Sequence, residues 1–142
     1  MTEPSSETLH ATTVSIGGRA VLITGRSGSG KSDLALRLID RGARLVSDDY
    51  TIVKRIGGVL SATAPSRIAG KMEVRGIGIV AMEPSADVPV SLAVDLDRAA
   101  DRMPEPGEVQ VIAGIAVRVI ALDARESSAP MKVEWALKGI IP

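Results

Sequence analysis

At 142 residues, with 45% hydrophobic and 24% charged content, the chain is long enough to bury one domain's core and too apolar for intrinsic disorder. Its 17 Lys and Arg balance 17 Asp and Glu, so no net field draws it to nucleic acid or an anionic membrane. The absence of Cys excludes disulfides, thiol nucleophiles and thiolate metal sites, and the lack of Phe, with one Tyr and one Trp, offers no platform for stacking bases.

Residues 1–9 are polar and read as an N-terminal tail, ahead of a single domain over residues 10–142. The start has no basic segment followed by an apolar one, as a signal peptide requires. No apolar run reaches the roughly 20 residues of a membrane span, so the expected location is the cytoplasm. Two short runs, ATTVSI and RAVLIT, flank Gly17-Gly18 and predict a hairpin leading into a glycine-rich loop. A helix is predicted from about Lys31 to Arg41, with Leu34, Ala35, Leu38 and Ile39 on one face, Arg37, Asp40 and Arg41 on the other, and Gly42 as its stop. ARLVS is a short strand ending at Asp48-Asp49, and YTIVKRI, Gly57-Gly58 and VLSAT form a second hairpin. Further strands are expected at KMEV, GIGIVAM, VPVSLAVDL, EVQVI and IAVRVIAL. APMKVEWALKG can form a closing helix, with Met131, Val133, Trp135 and Leu137 partly in register. The whole reads as a strand-rich α/β domain with one strongly marked helix.

Gly25, Gly30, Lys31 and Ser32 satisfy the phosphate-loop pattern G-x-x-x-x-G-K-[ST], between an apolar strand and an amphipathic helix. Glycines let backbone N–H groups approach phosphate oxygens, and the helix N-terminus adds partial positive charge. The loop Gly25, Arg26, Ser27, Gly28, Ser29, Gly30, Lys31 and Ser32 is therefore the expected nucleotide cradle. Lys31 would bridge the β and γ phosphates and the Ser32 hydroxyl would ligate Mg²⁺.

Asp48 and Asp49 follow the next strand. If that strand lies beside the loop's strand, its C-terminal end meets the phosphates. One carboxylate would then orient Mg²⁺ or its waters, while the other accepts a proton from an attacking hydroxyl. Adjacent residues on extended chain face opposite ways, so the two should not share one task. An Asp pair in an ordinary turn is the plainer alternative. On KMEVRGIGIVAM, Glu73 and Arg75 share a face, opposite Met72 and Val74, and they suit either a surface ion pair or an additional carboxylate of the metal shell with its charge balance. His10, the single histidine, would by itself be an ordinary surface or half-buried residue.

Together, His10, the stretch GRAVLITGRSGSGKSDLALRLIDRGARLVSDDY and the following MEVRGIGIV resemble the catalytic domain of bacterial HPr kinase/phosphorylase, from about His10 to Val80. The resemblance implies a P-loop core similar to that of phosphoenolpyruvate carboxykinase. It implies ATP-dependent phosphorylation of a seryl residue on the phosphocarrier HPr, and removal of that phosphate by inorganic phosphate with release of pyrophosphate. It further implies that Gly25 to Ser32 bind nucleotide and that Ser32 and Glu73 hold Mg²⁺. One of Asp48 and Asp49 would be the seryl base, supported by His10. Arg102, in DRMPEP, would stand at the family's later functional arginine, and Arg125 is a second candidate in the C-terminal stretch. The chain looks like the short form of some proteobacteria, without the N-terminal domain of longer members. The family's assembly leaves a homo-oligomer as an open expectation. Two other readings stand beside this one: a small-metabolite kinase, which needs several helices and a lid, and a non-catalytic ATP sensor.

The loop reading makes a direct prediction. Lys31→Ala should abolish nucleotide-dependent activity, as a phosphoryl-transfer assay would show.

Overall fold

The structure is a computed structural model and describes residues 5–139. Its backbone is organised by tight hairpins. Gly17 and Gly18, at φ 58° and 80°, turn β2 (Ala11–Ile16) directly onto β3 (Arg19–Thr24), the two-residue geometry that matches strand twist. Gly57 and Gly58, at φ 57° and 79°, do the same between β5 (Thr51–Ile56) and β6 (Val59–Thr63).

Residues 6–9 are not a tail. Ser6–Leu9 form β1, antiparallel to β5, with Leu9 opposite Thr51 and Ser6 opposite Lys54. Polar composition disguises this strand because it lies at the sheet edge, where alternate side chains meet water while backbone pairing covers β5. Glu7 is held too, its carboxylate accepting the Ala113 N–H at 3.1 Å.

Helix α1 (Lys31–Asp40) leaves the loop after β3 and leads to β4 (Arg44–Ser47). Next come the separate hairpin β7 (Lys71–Val74) and β8 (Gly78–Ala81), then β9 (Val88–Asp95), β10 (Val109–Ile112), β11 (Ile115–Ala121) and α2 (Ala129–Leu137). The main sheet runs β1-β5-β6-β9-β3-β2-β4, with β11 parallel to β9 and β10 pairing with β11. β4 therefore does not lie beside the loop strand, so the condition set for Asp48 and Asp49 to reach the phosphates is not met by direct pairing. The glycine hairpin puts β2 in that place, and β4 pairs with the far side of β2. Because β2 is antiparallel to both neighbours, β3 and β4 still run the same way and end at the same edge.

β3 is buried on both faces. Val21 and Ile23 pack with Leu34, Leu38, Leu92, Val94 and Val133 under the helices, whereas Ala20 and Leu22 pack with Val46, Val53, Leu60 and Val117 on the opposite face. In α2 the buried stripe is Ala129, Pro130, Val133, Ala136 and Leu137. Met131 and Trp135, which the sequence suggested as part of its packed face, are exposed because the register of this stripe turns them outward. Arg37 and Arg41, on the charged face of α1, reach to the α2 region. Arg37 donates to the Ala124 and Glu126 carbonyls, and Arg41 forms a two-pronged bond to Glu134. Among the described residues no helix is long and apolar enough to cross a membrane.

Leu38 is fully buried between α1 and the sheet. Leu38→Ala should cost about 2–5 kcal/mol in urea unfolding, through lost transfer energy and a residual cavity.

Candidate active site

The glycine loop, α1, the end of β4 and β7 enclose a cleft of about 450 Å³ whose walls include Gly28, Lys31, Ser32, Asp49, Glu73 and Arg75. The loop's conformation depends on glycine. Gly28 and Gly30 have φ 85° and 101°, and a Cβ on Gly25 would strike the Ser29 side chain. The Lys31 ammonium folds back to donate to the Gly25 carbonyl at 2.7 Å and the Arg26 carbonyl at 3.0 Å. The Ser29 hydroxyl is buried without a hydrogen-bond partner. Gly30 precedes α1 with no side-chain cap. A bare helix end, a nearby ammonium and an unused hydroxyl fit an anionic oxygen cluster such as a nucleotide's phosphates. The loop is anchored on its outer side by Asp97, whose carboxylate oxygens each accept the Arg26 N–H at 3.0 Å.

The two aspartates diverge, as their adjacency predicts. Asp48 is 8% exposed and accepts three hydrogen bonds. Its Oδ1 takes the Ser32 hydroxyl at 2.6 Å and the Thr12 hydroxyl at 3.2 Å, while its Oδ2 takes the Glu73 N–H at 3.1 Å. Asp49 turns outward in the left-handed region, at φ 71°. Its Oδ1 lies 2.9 Å from His10 Nε2, with 58% of the Asp49 side chain and 41% of the His10 side chain exposed. The His10 ring stacks on Tyr50, with centroids 5.2 Å apart.

Ser32 and Glu73 line the cleft, and Asp48 joins them from behind through the Ser32 hydroxyl and the Glu73 backbone N–H. A hydroxyl with one or two carboxylates is the donor set of Mg²⁺, which keeps waters and takes the rest of its shell from substrate phosphates. No group of three or more His, Asp or Glu capable of holding a metal occurs among the described residues, so protein groups alone do not complete a shell.

Two arginines proposed from the sequence lie elsewhere. Arg102 is exposed on the segment between β9 and β10 and does not line the cleft. Arg125, 89% exposed, pairs with Asp123, whose carboxyl is held below its usual range by hydrogen bonds from the Arg125 side chain and backbone. Proline and glycine spacing gave no information on where these loops turn. Thr12, Tyr50 and Asp97 escaped sequence reasoning. A threonine two positions after His10 in a strand otherwise destined for the core was the available signal for Thr12.

With this geometry in view, similarity to known proteins becomes informative. The profile of the HPr Serine kinase C-terminal domain matches residues 3–134. The chain belongs to that family. The HPr kinase/phosphorylase of Clostridium kluyveri is 53% identical over 72 residues, covering 51% of this chain and 23% of that protein. The enzyme of the same name from Clostridium acetobutylicum is 50% identical over 72 residues, covering 51% and 24%. The chain thus matches about a quarter of the length of these relatives. The solved Hpr(Ser) kinase/phosphatase from Coxiella burnetii superimposes with a TM-score of 0.79 at 29% identity, covering 94% of this chain and 95% of that one. The strand-rich α/β architecture is therefore that of the HPr kinase family.

Gly30 is tightly placed, since a Cβ there would stand 2.9 Å from the Ala124 Cβ. Gly30→Ala should weaken ATP binding by more than about tenfold in calorimetry, because it combines this collision with a disfavoured left-handed residue.

Proposed function

We propose that the chain is an ATP-dependent kinase that phosphorylates a seryl residue of HPr or an HPr-like phosphocarrier, and that it also runs the phosphorolysis implied by its relatives' name. The observation that carries the reading is the division of labour between the aspartates beside a glycine loop. Asp48 is saturated with donors, whereas Asp49 presents a carboxylate to the cleft with His10 at its back.

On this reading the loop and Lys31 bind the nucleotide phosphates, and Ser32, Asp48 and Glu73 serve Mg²⁺, which would supply charge neutralisation on the transferred group. Asp49 takes the proton from the seryl hydroxyl as that oxygen bonds to the γ-phosphorus. The bridging bond to the β-phosphate breaks and ADP leaves. In the reverse direction inorganic phosphate attacks the seryl phosphorus, and Asp49 returns the proton to the departing seryl oxygen. Pyrophosphate and the unphosphorylated seryl side chain of the phosphocarrier result. His10 orients the Asp49 carboxylate through their hydrogen bond. A protein acceptor suits the cleft mouth better than a metabolite does, because the β7–β8 hairpin that carries Glu73 and Arg75 also exposes Ile77 and Ile79, 77% and 67% open to solvent.

The test is the intact mass of the host's HPr-like protein after incubation with the chain and Mg·ATP. One phosphate added at a serine is the expected outcome, and inorganic phosphate should then remove it with release of pyrophosphate. No mass shift despite ATP binding would overturn the kinase reading in favour of a sensor. Asp49→Asn should lower turnover by roughly 10²-fold or more with ATP affinity retained, as expected for a general base. Asp48→Asn should reduce turnover together with the Mg²⁺ dependence of ATP binding.

A further inference from the structure

We infer that Thr12 is a positioning residue that sets the proton acceptor in register with the metal-shell carboxylate, an inference that rests on the seryl-kinase reading above. Thr12 is fully buried at the start of β2, and its single hydroxyl touches both aspartates. The polarity of the two bonds follows from the groups involved. The Asp49 backbone N–H can only donate, so at 3.1 Å the Thr12 oxygen accepts it. The hydroxyl proton is then free for Asp48 Oδ1 at 3.2 Å, a carboxylate oxygen that accepts.

This relay does more than fill the core. Asp49 occupies a left-handed conformation that non-glycine residues rarely adopt, and Thr12 anchors its N–H there. The side chain of Asp49 is held separately by His10, two residues before Thr12. One short stretch of chain, His10 to Thr12, therefore fixes the base at both its backbone and its carboxylate. The same hydroxyl links that base to Asp48, which in turn bonds Ser32 at the start of α1. Metal shell and base are joined through one atom.

The neighbouring Thr13 supplies a control. It is equally buried, but its hydroxyl bonds to Thr51, 2.8 Å away, and Thr51 donates to the Ala11 carbonyl. Removing the Thr13 hydroxyl therefore costs a buried hydrogen bond without touching either aspartate.

The experiment compares Thr12→Val, Thr12→Ser and Thr13→Val in steady-state phosphorylation of HPr, with calorimetry of ATP binding with and without Mg²⁺. Thr12→Val should lower kcat by about 10- to 100-fold at saturating Mg·ATP, as small displacements of a reacting group do. Thr12→Ser should recover most of that loss, and Thr13→Val should leave kcat near the wild-type value. In calorimetry Thr12→Val should reduce the gain in ATP affinity caused by Mg²⁺, while Thr13→Val should not. A Thr12→Val enzyme as active as Thr13→Val, or a Thr12→Ser enzyme as impaired as Thr12→Val, would overturn the inference. If Thr12→Val does not fold by circular dichroism, Thr12→Ala takes its place under the same criteria. If the wild-type chain transfers no phosphate, the kinase reading fails by itself. The Mg²⁺ dependence of ATP binding then decides for Thr12: selective loss in the Thr12 variant sustains it, and equal behaviour of the two valine variants overturns it.

Discussion

The buried carboxylate of Asp48 is the joint on which the site depends. It receives hydrogen bonds from the first turn of α1, from β2 and from the backbone of β7, while its own residue ends the β4 segment. A carboxylate taken out of water is costly unless donors replace its hydration, and here three donors do so. The converse constrains the fold: moving any of these segments would strip a partner from a group that cannot recover water. The phosphate loop's serine, the hairpin that bears Glu73 and the start of β2 are thus held in mutual register by the protein's own hydrogen bonds. That preorganisation is what positional catalysis of phosphoryl transfer requires.

Sheet order explains how so many sequence-distant groups reach one edge. The two-glycine turn makes β2 run back along β3, and β4 then pairs with β2 in the opposite sense. Three strands in alternating direction place the end of β3, the beginning of β2 and the end of β4 together. Those positions carry Gly25, Thr12 and Asp48. A bulge in the β2–β4 ladder between Thr13 and Val14 lies next to this edge, where an irregularity can re-aim neighbouring side chains. The parallel pairing of β3 with β9 closes the other side, so that Asp97 meets the loop at Arg26.

Much of this was legible in the sequence because it rests on local chemistry. Paired glycines mark hairpins, β-branched runs mark strands, and the glycine-lysine-serine pattern marks the loop, whatever the rest of the chain does. Adjacency in the Asp pair already suggested that the two carboxylates would face different surroundings, and one is buried while the other is exposed. What the sequence did not reveal depends on partners distant along the chain. Nothing in SETL announces a strand, because its pairing is supplied by β5. The neighbour of β3 was not legible because adjacency in the chain is a weak guide to adjacency in a sheet that begins with a hairpin. Thr12 looked like any strand threonine, since its significance comes from residues 36 and 37 positions later. Arg102 and Arg125 were chosen by resemblance where the resemblance was thin, and neither is among the residues that line the cleft.

The contrast between the aspartates also bears on why the pair is adjacent at all. Asp48 is buried, and three donors meet its carboxylate. Asp49 instead takes a strained backbone angle, remains more than half exposed and relies on His10, itself steadied by Tyr50. Strain and exposure at one position add little to the folded state, and they persist where neighbouring contacts over-determine them. Here those contacts are the Thr12 hydroxyl on one side of the residue and the imidazole on the other. Tight anchoring of one carboxylate is thus what permits the next to stand out in the cleft. The two consecutive aspartates thus divide into one carboxylate saturated by donors and one left exposed beside the cleft.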